Sequence, residues 1–410
     1  MKIGFLGNAN NYPFMLALAL KAKGHDVLFV IDSENPLNRP ENRYPNIPRP
    51  YPEWILDCSS SSDAWSFYTG EEARKAVDAL RSCDSLILNE FAPSIWKSIR
   101  KPCFALLTGT DLEVLADLQY VEFVYPPLSN FRLRDLLSRS HWIGLVTRHR
   151  ARQRMLTLIN NQRGGISNAV GVNYFPVGSL PNGDRLLTEM GVSHRNRVFF
   201  MMGDIDRYSC APYPSNSKLR IFNVARITWK KPREHFICEL DYKGTDVLIR
   251  GLGLFIRNHP SAPALDIRLV RKGADIEATE QLIREEGIEN SVTWLEAMNQ
   301  TELYEEYKSA DIVTEHFGEG SIGMGALDAM ATGRPVITRC SPEVFKREFG
   351  EESPICHAAT AQEICDQLTR LSASREIREK IGRDSRRYVE QYFSPERAAD
   401  LVLEKLQHAA

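Results

Sequence analysis

The run from Ala310 to Thr338 constrains the fold more than any other part of the chain. An apolar stretch over 310–314 reads as a strand, and Glu315, His316 and Phe317 lead into a loop with four glycines within eight residues, Gly318, Gly320, Gly323 and Gly325. A helix is predicted over 324–332, stopped by Gly333 as a left-handed cap, and Pro335 opens another strand. A strand, a loop, a helix and a strand in this order belong to a parallel αβ sheet. The glycine loop would turn the backbone amides of Gly323, Met324 and Gly325, at the positive end of the helix dipole, toward an anion. Asp328, four residues into the helix, offers a carboxylate to sugar hydroxyls. The chemistry implied is a nucleotide diphosphate held by amides, with its ribose held by an acid.

The same alternation runs through the rest of the chain. In the first half strands are predicted over 2–6, 26–31, 85–88, 103–107 and 142–146, with a helix from Tyr12-Pro13 to near Gly24. A Pro-, Ser- and Asn-rich excursion to about Ser66 reads as part of a site or a lid. Periodicity breaks between Gly203 and Ser217. In the second half strands are predicted over 219–224, 265–270, 291–295, 310–314 and 335–338, each followed by a helix, and Asn299-x-x-Glu302 and Thr360-x-x-Glu363 are capping-box starts. Ser394-Pro395 begins a last helix. The expected division is 1–205, a connection over 206–217, 218–390, and a terminal helix over 391–410.

Size and composition fit two doubly wound domains. The 410 residues exceed what one core organises, and 43% hydrophobic with 25% charged residues is the make-up of a soluble globular protein. A net charge of −2 excludes a general nucleic-acid binder. Met1 runs straight into a strand without signal-peptide architecture, and the apolar run over 14–20 is too short to cross a bilayer, so a cytoplasmic location is expected. Eight cysteines without a Cys-x-x-Cys pair read as reduced thiols.

Other residues at predicted strand ends carry candidate chemistry. Arg226 closes the first strand of the second half and Lys243 opens the helix after it; both would point into the ligand crevice of an open αβ sheet, where cations neutralise a diphosphate. Asp111 follows the strand over 103–107, either to receive an acceptor hydroxyl or to cap the next helix. Gly7 and Asn8 follow the first strand, where the missing Cβ suits close backbone approach to a ligand. Asp32 ends the second strand at the place of a ribose-binding acid, although Gly4-x-x-Gly7 is not a dinucleotide fingerprint. Asp204-Ile205-Asp206 could chelate a hard cation but lies in the expected connection. The segment 131–163 carries eight arginines and two histidines against one acid, a face for anionic lipid headgroups or an acidic glycan, or a solvated basic helix.

Ala329-Met330-Ala331-Thr332-Gly333-Arg334-Pro335-Val336 resembles the donor signature of family-4 glycosyltransferases, retaining enzymes of the GT-B fold. In that pattern two glutamates with seven residues between them precede the motif. Here Asp328 stands at the second, Gly320 at the first, and Glu315-His316 falls where a sub-branch carries Asp-Gln, with Glu319 as the other nearby acid. The resemblance implies two Rossmann-like domains facing across a cleft, with a C-terminal helix crossing back to the first. It implies transfer of a sugar from a nucleotide diphosphate sugar to a glycan, a lipid-linked glycan or a small hydroxylated acceptor, without metal or cofactor. In that mechanism Arg226, Lys243 and the Gly323–Gly325 amides stabilise the departing diphosphate, Asp328 grips ribose, and Glu315 or Glu319 positions the sugar. A nucleotide-binding protein without catalysis, and a nicotinamide-dependent oxidoreductase, are the readings from other classes.

Overall fold

Parallel strands with helical crossovers build two separate sheets. The computed structural model describes residues 1–59, 67–68, 70–127, 139–230, 241–318 and 322–408, without the side chains of 139–145. Glu319 and the 131–138 part of the basic segment lie outside the described residues. One compact unit comprises Met1–Tyr174, Pro181–Phe199 and Ala398–Ala410; the other comprises Phe175–Leu180 and Phe200–Arg397.

In the first unit the strands are β1 (Lys2–Leu6), β2 (Asp26–Ile31), β3 (Ile55–Asp57), β4 (Ser85–Leu88), β5 (Cys103–Leu106), β6 (Gly171–Asn173) and β7 (Arg197–Val198). They lie in the order β3-β2-β1-β4-β5-β6-β7, all parallel. β1 and β4 sit inside this sheet, and their continuous apolar runs, Ile3 to Leu6 and Leu86 to Leu88, are buried on both faces as a covered parallel sheet requires. The helix Tyr12–Ala22 has Pro13 in its first turn, and its Phe14 meets Phe29 of β2 edge to face at 4.9 Å. The terminal segment joins this unit through Lys405, which donates to the Arg195 carbonyl at 3.0 Å, and an ion pair of Lys23 with Asp400.

In the second unit β8 (Leu219–Asn223), β9 (Leu265–Val270), β10 (Val292–Leu295), β11 (Ile312–Thr314), β12 (Val336–Thr338) and β13 (Cys356–His357) lie in the order β10-β9-β8-β11-β12-β13, again all parallel. Its core joins Ile221, Leu269 and Ile312 from the sheet to Leu248, Leu252, Ile364 and Leu368 from the crossover helices. Both predicted capping boxes form, at Asn299 with Glu302 and at Thr360 with Glu363. Residues 206–217, expected as a connection, lie in this unit. Arg334, 1% exposed, donates to the carbonyls of Tyr307, Lys308, Ala211 and Pro212, and Arg386 donates to those of Ile205, Tyr208 and Ala331.

The strand expected over 142–146 is instead part of a 29-residue helix, Arg139–Ser167. Five apolar residues fit a strand and a helical turn equally, and here the helix that carries Leu158, Ile159 and Gln162 inward runs back through them. Two- and three-residue strands, β3, β6, β7 and β13, were too short to show a period.

Candidate active site

In the second unit β8 and β11 end side by side. Thr314 pairs with Asn223 in register, its hydroxyl donates to the Asn223 side-chain oxygen at 3.2 Å, and Val224 N–H donates to the Thr314 carbonyl at 3.2 Å. The residues that follow the two strands therefore leave one sheet edge together, at the carboxyl ends where open αβ sheets bind ligands.

A junction of glycines locks these loops. Lys243 donates its N–H to the Thr228 carbonyl at 2.7 Å, and its own carbonyl accepts from Phe317 N–H at 2.8 Å. Gly244 has φ of 64°, and a Cβ there would lie 2.7 Å from the Phe317 carbonyl carbon; on Gly318 it would lie 1.8 Å from the Tyr242 oxygen. Only residues without a side chain let these backbones touch. On the other flank the Thr338 hydroxyl and Arg339 N–H donate to the His316 carbonyl at 2.7 and 3.0 Å, and the Arg339 guanidinium holds the Gly318 carbonyl at 2.9 Å. Residues 315–318 are thus fixed from both sides.

Glu315, 7% exposed, points from this loop to the start of the helix Met324–Ala331. A Cβ on Gly323, the N-cap, would lie 2.2 Å from one carboxylate oxygen of Glu315, and the carboxylate also meets the His316 ring through Nδ1. Burial pushes this carboxyl up, yet the adjacent His316 ring and the Lys243 ammonium outweigh it and hold the group below the usual glutamate range. The site therefore gathers Lys243, Glu315, His316 and the amide-bearing turn Gly323, Met324 and Gly325, which is only partly buried. Arg226 stands at the same strand end but is more than half exposed, in a 3.3 Å pair with an equally exposed Asp241. Asp328 is 9% exposed, on the inward part of its helix. It acts there on the buried Tyr307 phenol, which burial and then the Asp328 carboxylate push far above its ordinary range.

The candidates in the first unit turn inward. Asn8 is fully buried; its amide donates to Asn11 and to the Asn38 carbonyl at 2.8 and 2.7 Å and accepts from Phe14 N–H at 3.2 Å. A Cβ on Gly7 would lie 2.3 Å from the Asn89 carbonyl. The glycine admits the end of β4, and the asparagine side chain braces the loop. Asp111, inside the short helix Thr110–Glu113 whose N-cap is Gly109, accepts from the N–H groups of Thr108, Gly109 and Leu112 and from the Asn89 amide, which braces the turn after β5.

Around Asp111 the structure gathers Asp32 and one acid the sequence did not single out, Glu90. Asp32 after β2, fully buried, accepts from the Tyr68 hydroxyl at 2.6 Å and is pushed up to about 6 by burial. Glu90 after β4 is pushed up to about 8 by burial and by the neighbouring Asp32 and Asp111 carboxylates. The signal available was positional, since each acid follows the carboxyl end of a predicted strand.

Asp204 pairs with Arg207 at 3.4 Å, and among the described residues no three His, Cys, Asp or Glu side chains come together to hold a metal ion. Seven cysteines are described and all are free thiols. In the basic segment Arg152 and Arg163 donate to the carbonyls of Tyr125 and Ala116 at 2.6 and 2.8 Å, so part of its charge serves internal packing. No helix among the described residues is long and apolar enough to cross a membrane.

Residues 232–374 match the family model of group 1 glycosyl transferases. A D-inositol 3-phosphate glycosyltransferase of Saccharomonospora viridis is 26% identical over 174 residues, 41% of this chain and 40% of that protein. The corresponding protein of Corynebacterium urealyticum is 33% identical over 102 residues, 23% of each. The chain thus spans at most about two fifths of the length of these curated relatives. Among solved structures, Anabaena HepE in complex with UDP superposes with a TM-score of 0.63 at 14% identity, covering 100% of both chains. The sucrose-phosphate synthase of Thermosynechococcus elongatus gives 0.61 at 14%, again covering 100% of both. The fold is GT-B, and the matches support a glycosyltransferase.

Proposed function

We propose that the protein is a retaining glycosyltransferase of the family-4 kind, which takes a sugar from a nucleoside diphosphate at the edge formed by β8 and β11. One observation carries this reading: Lys243, Glu315 and the Gly323–Gly325 turn converge there, within the segment that matches the group 1 model. Lys243 and the helix-terminal amides neutralise charge that develops on the leaving diphosphate, in positions set before the substrate arrives. Glu315, kept ionised by His316 and Lys243, accepts hydroxyls of the transferred sugar. Asp328 reaches the ribose through its small exposed edge. In this reading none of the described residues serves as a covalent nucleophile, so the acceptor attacks on the face the diphosphate leaves.

UDP in the HepE complex favours a uridine donor. The acceptor is a glycan, a lipid-linked glycan or a small hydroxylated molecule. The reaction runs without a metal, because Lys243 and the amides supply the positive charge, and takes place in the cytoplasm or at the inner membrane face. The test is calorimetric titration with UDP, followed by assay of UDP release from UDP-sugars with and without EDTA and assignment of the product anomer. UDP binding weakened by about 2 kcal/mol in Lys243→Ala and a product of retained configuration are expected. Absence of UDP binding would sink the reading, and loss of turnover in EDTA, restored by manganese, would replace its mechanism.

A further inference from the structure

The loop that carries Glu315 takes its shape from its neighbours, because the partners of a backbone group decide where it can lie. Glu315 N–H donates to the Ile337 carbonyl at 3.3 Å, and the His316 carbonyl accepts from the Thr338 hydroxyl and from Arg339 N–H. Phe317 N–H goes to the Lys243 carbonyl, and the Gly318 carbonyl accepts from the Arg339 guanidinium at 2.9 Å. Three of these four groups are thus bound by residues 337–339, on and just beyond β12. Arg339, partly buried, contributes twice: its amide holds residue 316 and its guanidinium holds residue 318, on either side of the buried Phe317.

That span bears on Glu315, whose carboxylate lies between fixed points. It meets the His316 ring on one side and the Gly323 backbone on the other. A turn of the 316–318 peptides would carry it off both, and away from the Lys243 ammonium that helps to keep it ionised. Lys243 has a fastener of its own, since its N–H donates to the Thr228 carbonyl at 2.7 Å. A slack loop would therefore move Glu315 and leave Lys243 in place. The largest influences on the Glu315 carboxyl are burial, His316 and Lys243, so Arg339 acts on it through the backbone it holds. We propose that Arg339, assisted by Thr338, is the positioning residue for Glu315: it fixes the 316–318 peptides so that the carboxylate stays beside Lys243 and faces the transferred sugar. The part played in turnover rests on the glycosyl-transfer reading; the hold on Glu315 does not.

The full-length protein is compared with Arg339→Ala, Arg339→Lys and Thr338→Val by calorimetric UDP titration and by UDP release from UDP-glucose across pH. The carboxyl carbon-13 resonance of Glu315, assigned with Glu315→Gln, is followed over the same pH range. Arg339→Ala should keep UDP affinity within about threefold and lower turnover by roughly tenfold or more, since a small misplacement of a substrate-facing group is costly. The acid limb of its turnover profile and the Glu315 resonance should both titrate about one pH unit higher, because a carboxylate that slips from its cations takes up a proton more readily. Arg339→Lys again offers an N–H to the Gly318 carbonyl and should return turnover to within about threefold. Thr338→Val removes one of two donors to the His316 carbonyl and should shift the Glu315 titration the same way by less. If circular dichroism shows Arg339→Ala unfolded, the Glu315 titration in Thr338→Val decides. UDP affinity that falls in step with turnover would make Arg339 a phosphate ligand and overturn the proposal, as would a Glu315 titration unmoved by either substitution. If the unaltered protein neither binds UDP nor releases it, the glycosyl-transfer reading falls, and the carbon-13 titration alone settles whether Arg339 holds Glu315.

Discussion

Glu90 and Glu315 occupy matching places in two sheets. Each follows the strand that neighbours the first strand of its unit, β4 beside β1 and β11 beside β8. Both side chains are largely removed from water, yet they titrate in opposite directions. Glu315 has His316 and Lys243 beside it and is held low; Glu90 has Asp32 and Asp111 beside it and is driven up. Burial sets the size of the stake, and the neighbouring charges decide which way it falls. One sheet end thereby carries a carboxylate among positive charge, the other a carboxyl among further carboxyls.

Removing the burial penalty at Glu90 should give the largest effect. The group titrates near 4.5 in the unfolded chain and near 8 when folded, so its contribution is full below about 4.5 and is lost as pH rises toward about 8. By pH 7 the loss is on the order of 3 kcal/mol. Glu90→Gln should therefore leave stability unchanged at acid pH and raise it near pH 8, seen as diverging denaturant midpoints. Parallel pH profiles would mean that Glu90 ionises freely and that the contrast with Glu315 is absent.

Lys243→Ala attacks the other half of the comparison. It should weaken UDP binding by about 2 kcal/mol, the scale of a charge-assisted contact, and let the Glu315 carboxyl rise. Unchanged affinity in calorimetry would make Lys243 a fastener of the Phe317 loop through its backbone alone.

Glu315→Gln keeps the packing against Gly323 and removes the charge, so turnover should drop by about tenfold, or 1.4 kcal/mol, with UDP affinity little changed. Asp328→Asn separates two roles by kinetics. A ribose contact raises the donor Michaelis constant more than it lowers turnover, whereas a purely internal carboxylate shifts the melting temperature and leaves the Michaelis constant alone.

Arg226→Ala should give the smallest effect, below about 1 kcal/mol, because its pair with Asp241 lies in solvent. A loss as large as that of Lys243→Ala would show that the guanidinium turns inward onto the donor.

Much of the second unit is legible in the sequence alone. Runs such as Leu265–Val270 are long enough to show their burial, and a capping box such as Asn299 with Glu302 is a local signal that tertiary contacts seldom override. The helix Met324–Ala331 was legible from its glycine stop, and Glu315 and Lys243 from their places beside strand ends. What failed was local evidence with two solutions. The apolar run over 142–146 could be a strand or a turn of the long helix, and only its packing decided. Gly7 is explained by Asn89, far away in sequence. The acids Asp32, Glu90 and Asp111 belong to three separate crossovers, and their meeting is a property of strand order that no window of sequence contains.

The carbonyl grip of Arg334 and Arg386 has a consequence for how the second unit opens. Neither the 205–212 strip nor the end of the helix Met324–Ala331 is tied to these guanidiniums by a carboxylate; the partners are neutral backbone oxygens, and Ala211 N–H returns a bond to the Thr332 carbonyl at 3.2 Å. The strip and the helix end therefore share their fasteners and cannot separate singly. In hydrogen exchange the amides of Ala211, Thr332 and Gly333 should open as one cooperative unit, at a rate little affected by salt.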